Sequence, residues 1–438
     1  MTADEARVAI IGAGDRGSRY ARLLTETGAA RVTAIAEPDA DRRNRLAALS
    51  GVPTDGLFTS WPALMDGPRL ADAVVVATLD EQHHAPAMAA LAAGYHVLVE
   101  KPMATSEAEC VEMVEAAERA GLILAVCHVL RYTPYSAAIR ATIEDGLLGD
   151  LVSVEHLEPV GWWHFAHSYV RGHWRREDEG TFLLMAKAVH DIDWLTSVVG
   201  TRPRRVSSFG GLSHFRPENA PPGAADRCLD CPAEPTCPYS APRLYLSCLG
   251  GPGPNPWPLS VVTADRTAAG VVEALRSGPY GRCVYRCDND VVDHQVVNIE
   301  YDGGVTASFT VTAFTPHAFR KTRIFGSHGY LSGNGSIVST TNFRTGKEML
   351  VELASSGGPG AADGHGGGDR GLITAFAAGI RSDEPFRYLT PARDSLASHQ
   401  LTWAAERARR TSSVVELGAE GDGGLRSPGA SDQRRHSP

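Results

Sequence analysis

A short apolar run, Val8-Ala9-Ile10-Ile11, leads directly into Gly12-Ala13-Gly14-Asp15-Arg16-Gly17 and then into a helix-length amphipathic stretch, Arg19 to Thr27. A glycine-rich turn between a buried strand and a helix fixes how the chain must begin to fold, since only that context makes a G-x-G-x-x-G match meaningful. Gly12 permits the tight turn, Gly14 lets the backbone approach a pyrophosphate, and Gly17 allows helix to pack closely on strand. The helix N-terminus, with Asp15 and Arg16 in its first turn, adds N–H donors and positive potential. Twenty residues beyond Gly17 stands Glu37, at the end of the next apolar run, Val32-Thr33-Ala34-Ile35. A carboxylate there accepts hydrogen bonds from the adenosine ribose hydroxyls. Strand, turn, helix, strand and acid in register predict a dinucleotide site. Glu37 favours NAD, because a 2′-phosphate would meet its negative charge, while Arg42 and Arg43 just downstream leave NADP open.

The same alternation continues through Ala73 to Ala77, His96 to Val99 and Leu122 to Val126, with helical stretches His84 to Ala93 and Ser106 to Ala120 between them. Ser106 with Glu109 three residues on is a capping-box signature. Residues 1–127 are thus expected to be an NAD(P)-binding Rossmann domain with a doubly wound parallel sheet. From residue 128 the strands grow longer and alternate: Leu151 to His156, Gln295 to Tyr301 and Val305 to Thr312, the last two joined by the turn Asp302-Gly303-Gly304. This predicts a substrate and oligomerisation domain of α+β type over 128–412, with a large, mostly antiparallel open sheet. Residues 212–282 read as a Pro- and Cys-rich irregular insertion, Ser355 to Gly371 as a Gly-rich loop, and 413–438 as a disordered tail. Helices are expected over about 371–379 and 395–411.

Composition narrows the function. Of 438 residues 43% are hydrophobic and 21% charged, ordinary for a folded globular chain. A formal charge of -9 without clustered Lys and Arg argues against nucleic acid as a partner. No apolar run is long enough to span a bilayer, and the start carries no basic-then-apolar leader pattern, so no membrane partner is expected and a cytoplasmic location is.

At the end of the fourth strand stands Glu100-Lys101-Pro102, where open α/β sheets place their ligand crevice. With Gly12 to Gly17, Thr78 to His83 and Gly94 to Pro102, the first domain closely resembles the glucose-fructose oxidoreductase / inositol dehydrogenase (Gfo/Idh/MocA) family, and the second resembles it more loosely. The resemblance implies that Lys101 lies beside nicotinamide and substrate, that Thr78, His83 and Glu100 stand near the cofactor, that Arg131 occupies a position close to it, and that the protein assembles as a dimer or tetramer through the open sheet face. On a helix, Lys187, His190, Asp191 and Trp194 share one face beside an apolar stripe of Leu184, Ala188, Ile192, Leu195 and Val199. The family's catalytic His matches His190, but the Asp it typically carries four residues earlier is Ala186 here. His190 is the expected general base, Lys101 the group that stabilises the developing alkoxide, and Lys187 a helper to either, with Asp191 shaping the site.

His164, His167, Tyr169, Arg171, His173, Trp174 and Arg175 crowd donors and aromatic faces into one segment, which suits a polyhydroxylated ring; His167, Arg171, Trp174 and Arg175 are the expected substrate contacts. Cys228, Cys231, Cys237 and Cys248 in the insertion leave structural zinc, free thiols and a disulfide all open, with zinc not favoured. The expected activity is hydride transfer between nicotinamide and a secondary hydroxyl of a sugar, aminosugar or cyclitol. A redox-neutral hydrolase or lyase using NAD transiently, and a non-catalytic NAD sensor, are the alternatives.

Overall fold

A computed structural model describes residues 5–250, 257–354, 358 and 364–418. Most of the Gly-rich loop and everything from residue 419 on lie outside the described residues. The first sheet is built from β1 (Arg7–Ile11), β2 (Arg31–Ala36), β3 (Leu57–Phe58), β4 (Ala73–Val76), β5 (His96–Val99) and β6 (Leu124–Val126). All pairs are parallel and the order is β3-β2-β1-β4-β5-β6. Every residue of β4 is buried, because helices cover both faces; this is why its sequence is a continuous apolar run rather than an alternation. Order reverses between β1 and β4, so a crevice opens at their carboxyl ends. The Ser106 side chain accepts from the Glu109 N–H at 3.3 Å and starts the Glu107–Ala120 helix as the capping signature predicts.

The second sheet has nine strands: β7 (Leu151–Pro159), β8 (Pro203–Gly211), β9 (His294–Tyr301), β10 (Thr306–Thr312), β11 (Lys321–Gly326), β12 (Gly329–Gly333), β13 (Ile337–Asn342), β14 (Glu348–Glu352) and β15 (Val414–Glu416). Their order is β14-β13-β12-β11-β7-β10-β9-β8-β15, and only β7 with β10 is parallel. The Asp302-Gly303-Gly304 turn is present, with φ +87° and +84° at its two glycines, values that a side chain would strain. Ala307, Phe309 and Val311 of β10 face the buried side, under the Leu183–Val199 helix, while the Ala392–Thr411 helix packs on β8. The opposite face is open and leaves Phe209 65% exposed.

Two expectations need correcting. Val414–Glu416 is not part of a disordered tail: it pairs with β8 as the sheet's last strand. The insertion is not coreless either, because its Ala241–Ser247 and Ala268–Ser277 helices enclose Cys228, Ala241, Tyr245, Leu259, Val271 and Leu275.

The two sheets meet along a polar seam. Arg131, just past β6, donates through Nε and Nη2 to the buried Asp193 carboxylate at 2.6 and 2.8 Å, and the Ser398 hydroxyl donates to the same group at 3.0 Å. His399 donates through Nδ1 to the Ser395 carbonyl and accepts at Nε2 from the Met103 N–H, so its neutral tautomer is fixed. Burial pushes His128 down to about 4, and His167 and His399 down to about 3. An unfolded histidine titrates near pH 6.5, so below that pH the unfolded chain binds protons these three native rings refuse. Their contribution is complete above that pH and lost on acidification, by about 1.4 kcal/mol each at pH 5.5. Denaturant unfolding followed by tryptophan fluorescence is therefore expected to show a clearly lower midpoint at pH 5.5 than at pH 7.5; equal midpoints would contradict this.

Candidate active site

The glycine turn has the shape a dinucleotide needs. A Cβ on Gly12, whose φ is +94°, would stand 2.5 Å from the Ala77 carbonyl oxygen, and one on Gly17 would stand 1.9 Å from the Gly12 oxygen. Gly14, by contrast, has nothing within 4 Å of such an atom, which leaves open space at the helix N-terminus where a pyrophosphate would lie. Glu37 is buried and accepts from the Ala13 and Asp39 N–H groups at 2.7 and 3.0 Å, so the acid expected to meet the ribose braces the turn. Arg43 donates to the Glu37 carbonyl at 2.6 Å. Thr78 donates to the Gln82 carbonyl. His83 sits fully buried between the Pro102 and Thr78 carbonyls, at 2.7 and 3.3 Å, and joins the two loops that border the crevice.

Arg16, whose place in the glycine turn makes it an expected cofactor-binding residue, is instead engaged by carboxylates of the chain itself. Its Nε donates to Glu100 at 2.6 Å, and Nη1 and Nη2 grip both oxygens of Asp369 at 2.9 and 3.0 Å. Burial alone would push Glu100 up, but Arg16 and the Tyr20 hydroxyl hold it below its ordinary value. The other Glu100 oxygen accepts from the Lys101 N–H, which fixes the turn that carries the lysine. Glu100 and Arg131 thus position the walls of the crevice.

Lys101 reaches across to the Leu183–Val199 helix and donates through Nζ to the Ala186 carbonyl. The residue that replaces the family's usual Asp thus contributes its backbone oxygen. Burial lowers the Lys101 ammonium; Asp80 and Glu100 oppose that effect, and Lys187 reinforces it. The residue after Ala186, Lys187, pairs with Glu158 of β7 at 3.0 Å. His190 is buried and held well below its ordinary value by desolvation, with Lys101 among the charges acting on it. Lys101, Lys187 and His190 thus lie close enough for their charges to act on one another.

Arg320, immediately before β11, decides how His190 and Asp191 are used. Its Nε pairs with Glu158 at 2.6 Å and Asp191 at 2.9 Å, and its Nη2 lies 2.8 Å from His190 Nε2. Asp191 Oδ2 also lies 3.3 Å from the same Nε2, but a guanidinium has no lone pair, so toward the closer Arg320 the imidazole nitrogen can only accept, which places the proton on Nδ1. That Nδ1 is buried and has no partner among the described residues. Asp191 does not face substrate: burial would raise it, but Arg320 first and His190 second hold it well below the carboxylate range, and His156 donates to it at 3.1 Å.

The 162–175 segment serves the insertion more than the crevice, which corrects three expected substrate contacts. Arg171 is buried and donates to the Arg282 and Tyr239 carbonyls, both at 2.8 Å. The His167 ring meets the Tyr245 hydroxyl at 2.8 Å, and Arg175 pairs with Asp288 and Glu179 near the surface. Trp174 donates to Asp80, a carboxylate that also acts on Lys101. His164, one of the residues the sequence singled out and one on which the Lys187 charge acts, belongs to an aromatic cluster with Trp163, Trp257 and His317, which the sequence did not single out; neighbouring ring centres lie 4.8 to 5.8 Å apart. All eight cysteines are free thiols, and among the described residues no group of three or more His, Cys, Asp or Glu is arranged to hold a metal ion. Cys248 donates to the Leu244 carbonyl of its own helix.

The class follows from this geometry: a dinucleotide fold joined to a mixed-sheet domain, with lysine and histidine at their junction. Residues 6–128 match the oxidoreductase family with an NAD-binding Rossmann fold (GFO_IDH_MocA), and residues 140–417 match that family's C-terminal alpha/beta domain, so the chain belongs to this family. It is 27% identical over 211 residues to a 2,7-anhydro-N-acetylneuraminate hydratase of Escherichia coli, covering 48% of this chain and 54% of that protein. It is 33% identical over 197 residues to inositol 2-dehydrogenase 1 of Saccharopolyspora erythraea, covering 44% and 54%. The chain thus spans little more than half the length of these curated relatives. The WlbA dehydrogenase of Bordetella pertussis, solved with NADH and UDP-GlcNAcA, has the same fold, with a TM-score of 0.63, 18% identity and coverage of 95% and 100%.

Gly17→Ala is expected to weaken NAD+ binding at least tenfold in a fluorescence titration, because helix and turn must separate. Gly51→Ala, at a helix end with φ +69° and nothing within 4 Å of a Cβ, should leave that affinity unchanged. Equal effects would contradict the assignment of the turn.

Proposed function

We propose that the chain is an NAD(P)-dependent oxidoreductase that moves a hydride between nicotinamide and a secondary hydroxyl of a sugar, aminosugar or cyclitol, with NAD the favoured cofactor. The observation that carries this reading is the reach of Lys101 from the strand end to the Ala186 carbonyl, which brings an amine lowered by burial beside His190 and Lys187. When bound, the dinucleotide supplies the hydride acceptor. The chain's own residues handle the proton and the orientation.

Their roles follow from the tautomer. His190 presents Nδ1–H, so it donates to the substrate oxygen rather than removing its proton. Lys101, the desolvated amine, takes that proton as charge develops on oxygen. This exchanges the roles expected from the sequence, and the reason is Arg320. Lys187, held by Glu158, orients a neighbouring hydroxyl, and Trp163 and Trp257 offer apolar faces to the C–H surface of a sugar ring. The free thiols fit work in the cytoplasm. The open sheet face, with Phe209 exposed, fits contact between copies of the chain.

A redox-neutral reading draws support from the hydratase relative, whose name describes a change without net oxidation. In that case Lys101 withdraws a proton from carbon and no NADH accumulates. Incubation with NAD+ and a panel of hexoses, N-acetylhexosamines, anhydrosugars and myo-inositol, followed by absorbance at the NADH band and by product mass, separates the two. The dehydrogenase reading expects NADH in step with a two-hydrogen mass loss; a mass change without NADH would overturn it. Lys101→Ala should lower kcat by a factor of about 10² or more, the typical worth of a positioned proton acceptor.

A further inference from the structure

The Gly-rich loop returns to the described residues at Gly364–Asp369, a segment to which the reading above assigns no chemistry. It is pressed against the nucleotide domain: a Cβ on Gly364 would stand 2.1 Å from Arg19 Nη2, and one on Gly368 would stand 2.4 Å from the Val129 carbonyl oxygen. Gly364, Gly366 and Gly367 all have positive φ, and so does His365, at +48°. A non-glycine residue is seldom held in that region unless its surroundings dictate it.

Asp369 links three groups. Its carboxylate accepts from Arg16 through two hydrogen bonds, lies 3.6 Å from Arg19 Nε, and faces His365 Nδ1 at 3.0 Å. The carboxylate stays ionised, because Arg16 first and then His365 outweigh the effect of burial. An anionic acceptor requires a proton on His365 Nδ1, so the lone pair of this neutral ring is on Nε2. The ring meets His190 edge-on with centres 5.8 Å apart, and it lines a cavity shared with His156, Trp194, Phe319 and Arg320. No hydrogen bond from Nε2 occurs among the described residues.

We propose that His365 is a substrate-contacting residue, which offers Nε2 as a neutral acceptor to a second hydroxyl of the polyol, and that Asp369 is its positioning residue. The same carboxylate holds Arg16 at the glycine turn, so one group sets both the cofactor loop and a substrate contact. The selectivity that follows is for a vicinal diol over an isolated alcohol, since an unpaired acceptor beside His190 disfavours a ligand lacking the second hydroxyl. This rests on the dehydrogenase reading.

Two measurements test it. In protein labelled with ¹⁵N-histidine, with His365→Phe to assign the signal, the His365 ring of the NAD+ complex should show the Nδ1–H tautomer, and Asp369→Asn should abolish that preference. A wild-type ring protonated on Nε2 overturns the proposal whatever the substrate. In turnover, the panel compound giving the fastest NADH formation should show a KM raised about tenfold by His365→Phe, with its kcat within threefold and the NAD+ Kd within twofold. His365→Gln, which keeps an acceptor, should recover part of that loss, whereas Asp369→Asn should weaken both ligands. An unchanged KM in His365→Phe, while Lys101→Ala still abolishes turnover, defeats this inference alone; full activity in Lys101→Ala defeats the reading beneath it.

Discussion

The Arg16 guanidinium joins three parts of the chain that are far apart in sequence: the helix after the glycine turn, the Glu100-Lys101 turn after β5, and the Gly368–Ile380 helix that carries Asp369. Both carboxylates are nearly inaccessible, with side-chain exposures of 8% and 1%. Removing one partner from such a group leaves an uncompensated buried charge, at a typical cost of about 3–5 kcal/mol. Lys101 therefore points where it does because the backbone that carries it is tied to the cofactor turn on one side and to the second domain on the other. The chemistry proposed for the crevice depends on that rigidity.

A second buried guanidinium, Arg320, sets the protonation pattern on the substrate side. It lies among Glu158, Asp191 and His190, and Lys187 balances the far side of Glu158. His190 Nε2 is engaged by Arg320 and its buried Nδ1 has no partner among the described residues, while two largely buried amines, Lys101 and Lys187, stand close by. On the proposed reading, the two guanidiniums Arg16 and Arg320, each fixed by carboxylates, set Lys101 as the acceptor and His190 as the donor. Asp191 has no direct part in this; it keeps Arg320 in place.

Much of this was legible in the chain. The glycine turn, Glu37, the buried runs of β4 and β5, the Ser106 cap and the Asp302-Gly303-Gly304 hairpin all follow local rules of period, capping and turn chemistry, and each occurs where those rules put it. The turn that carries Lys101 and the helix that carries His190 were readable as elements. What local rules do not contain is pairing at long range. Arg16 looks like a phosphate ligand until Asp369, 353 residues away, claims it. Arg171 resembles a substrate contact until the insertion folds over it, and Arg320, outside any periodic or capping pattern, gave no signal at all. His365 lay within a stretch whose glycines suggested only a loop. The tautomer of His190 depends on such a partner, so its role could not be read from its own helix.

The most direct test of the central claim is a crystal structure of the protein with NAD+ bound. The account predicts the pyrophosphate over Gly14 at the N-terminus of the Asp15–Thr27 helix, and the nicotinamide ring in the crevice beside Lys101 Nζ with His190 Nδ1 facing the same space. A nicotinamide directed away from Lys101, or a bound state in which Arg16 leaves Asp369 and Glu100 to hold the phosphates, would contradict it.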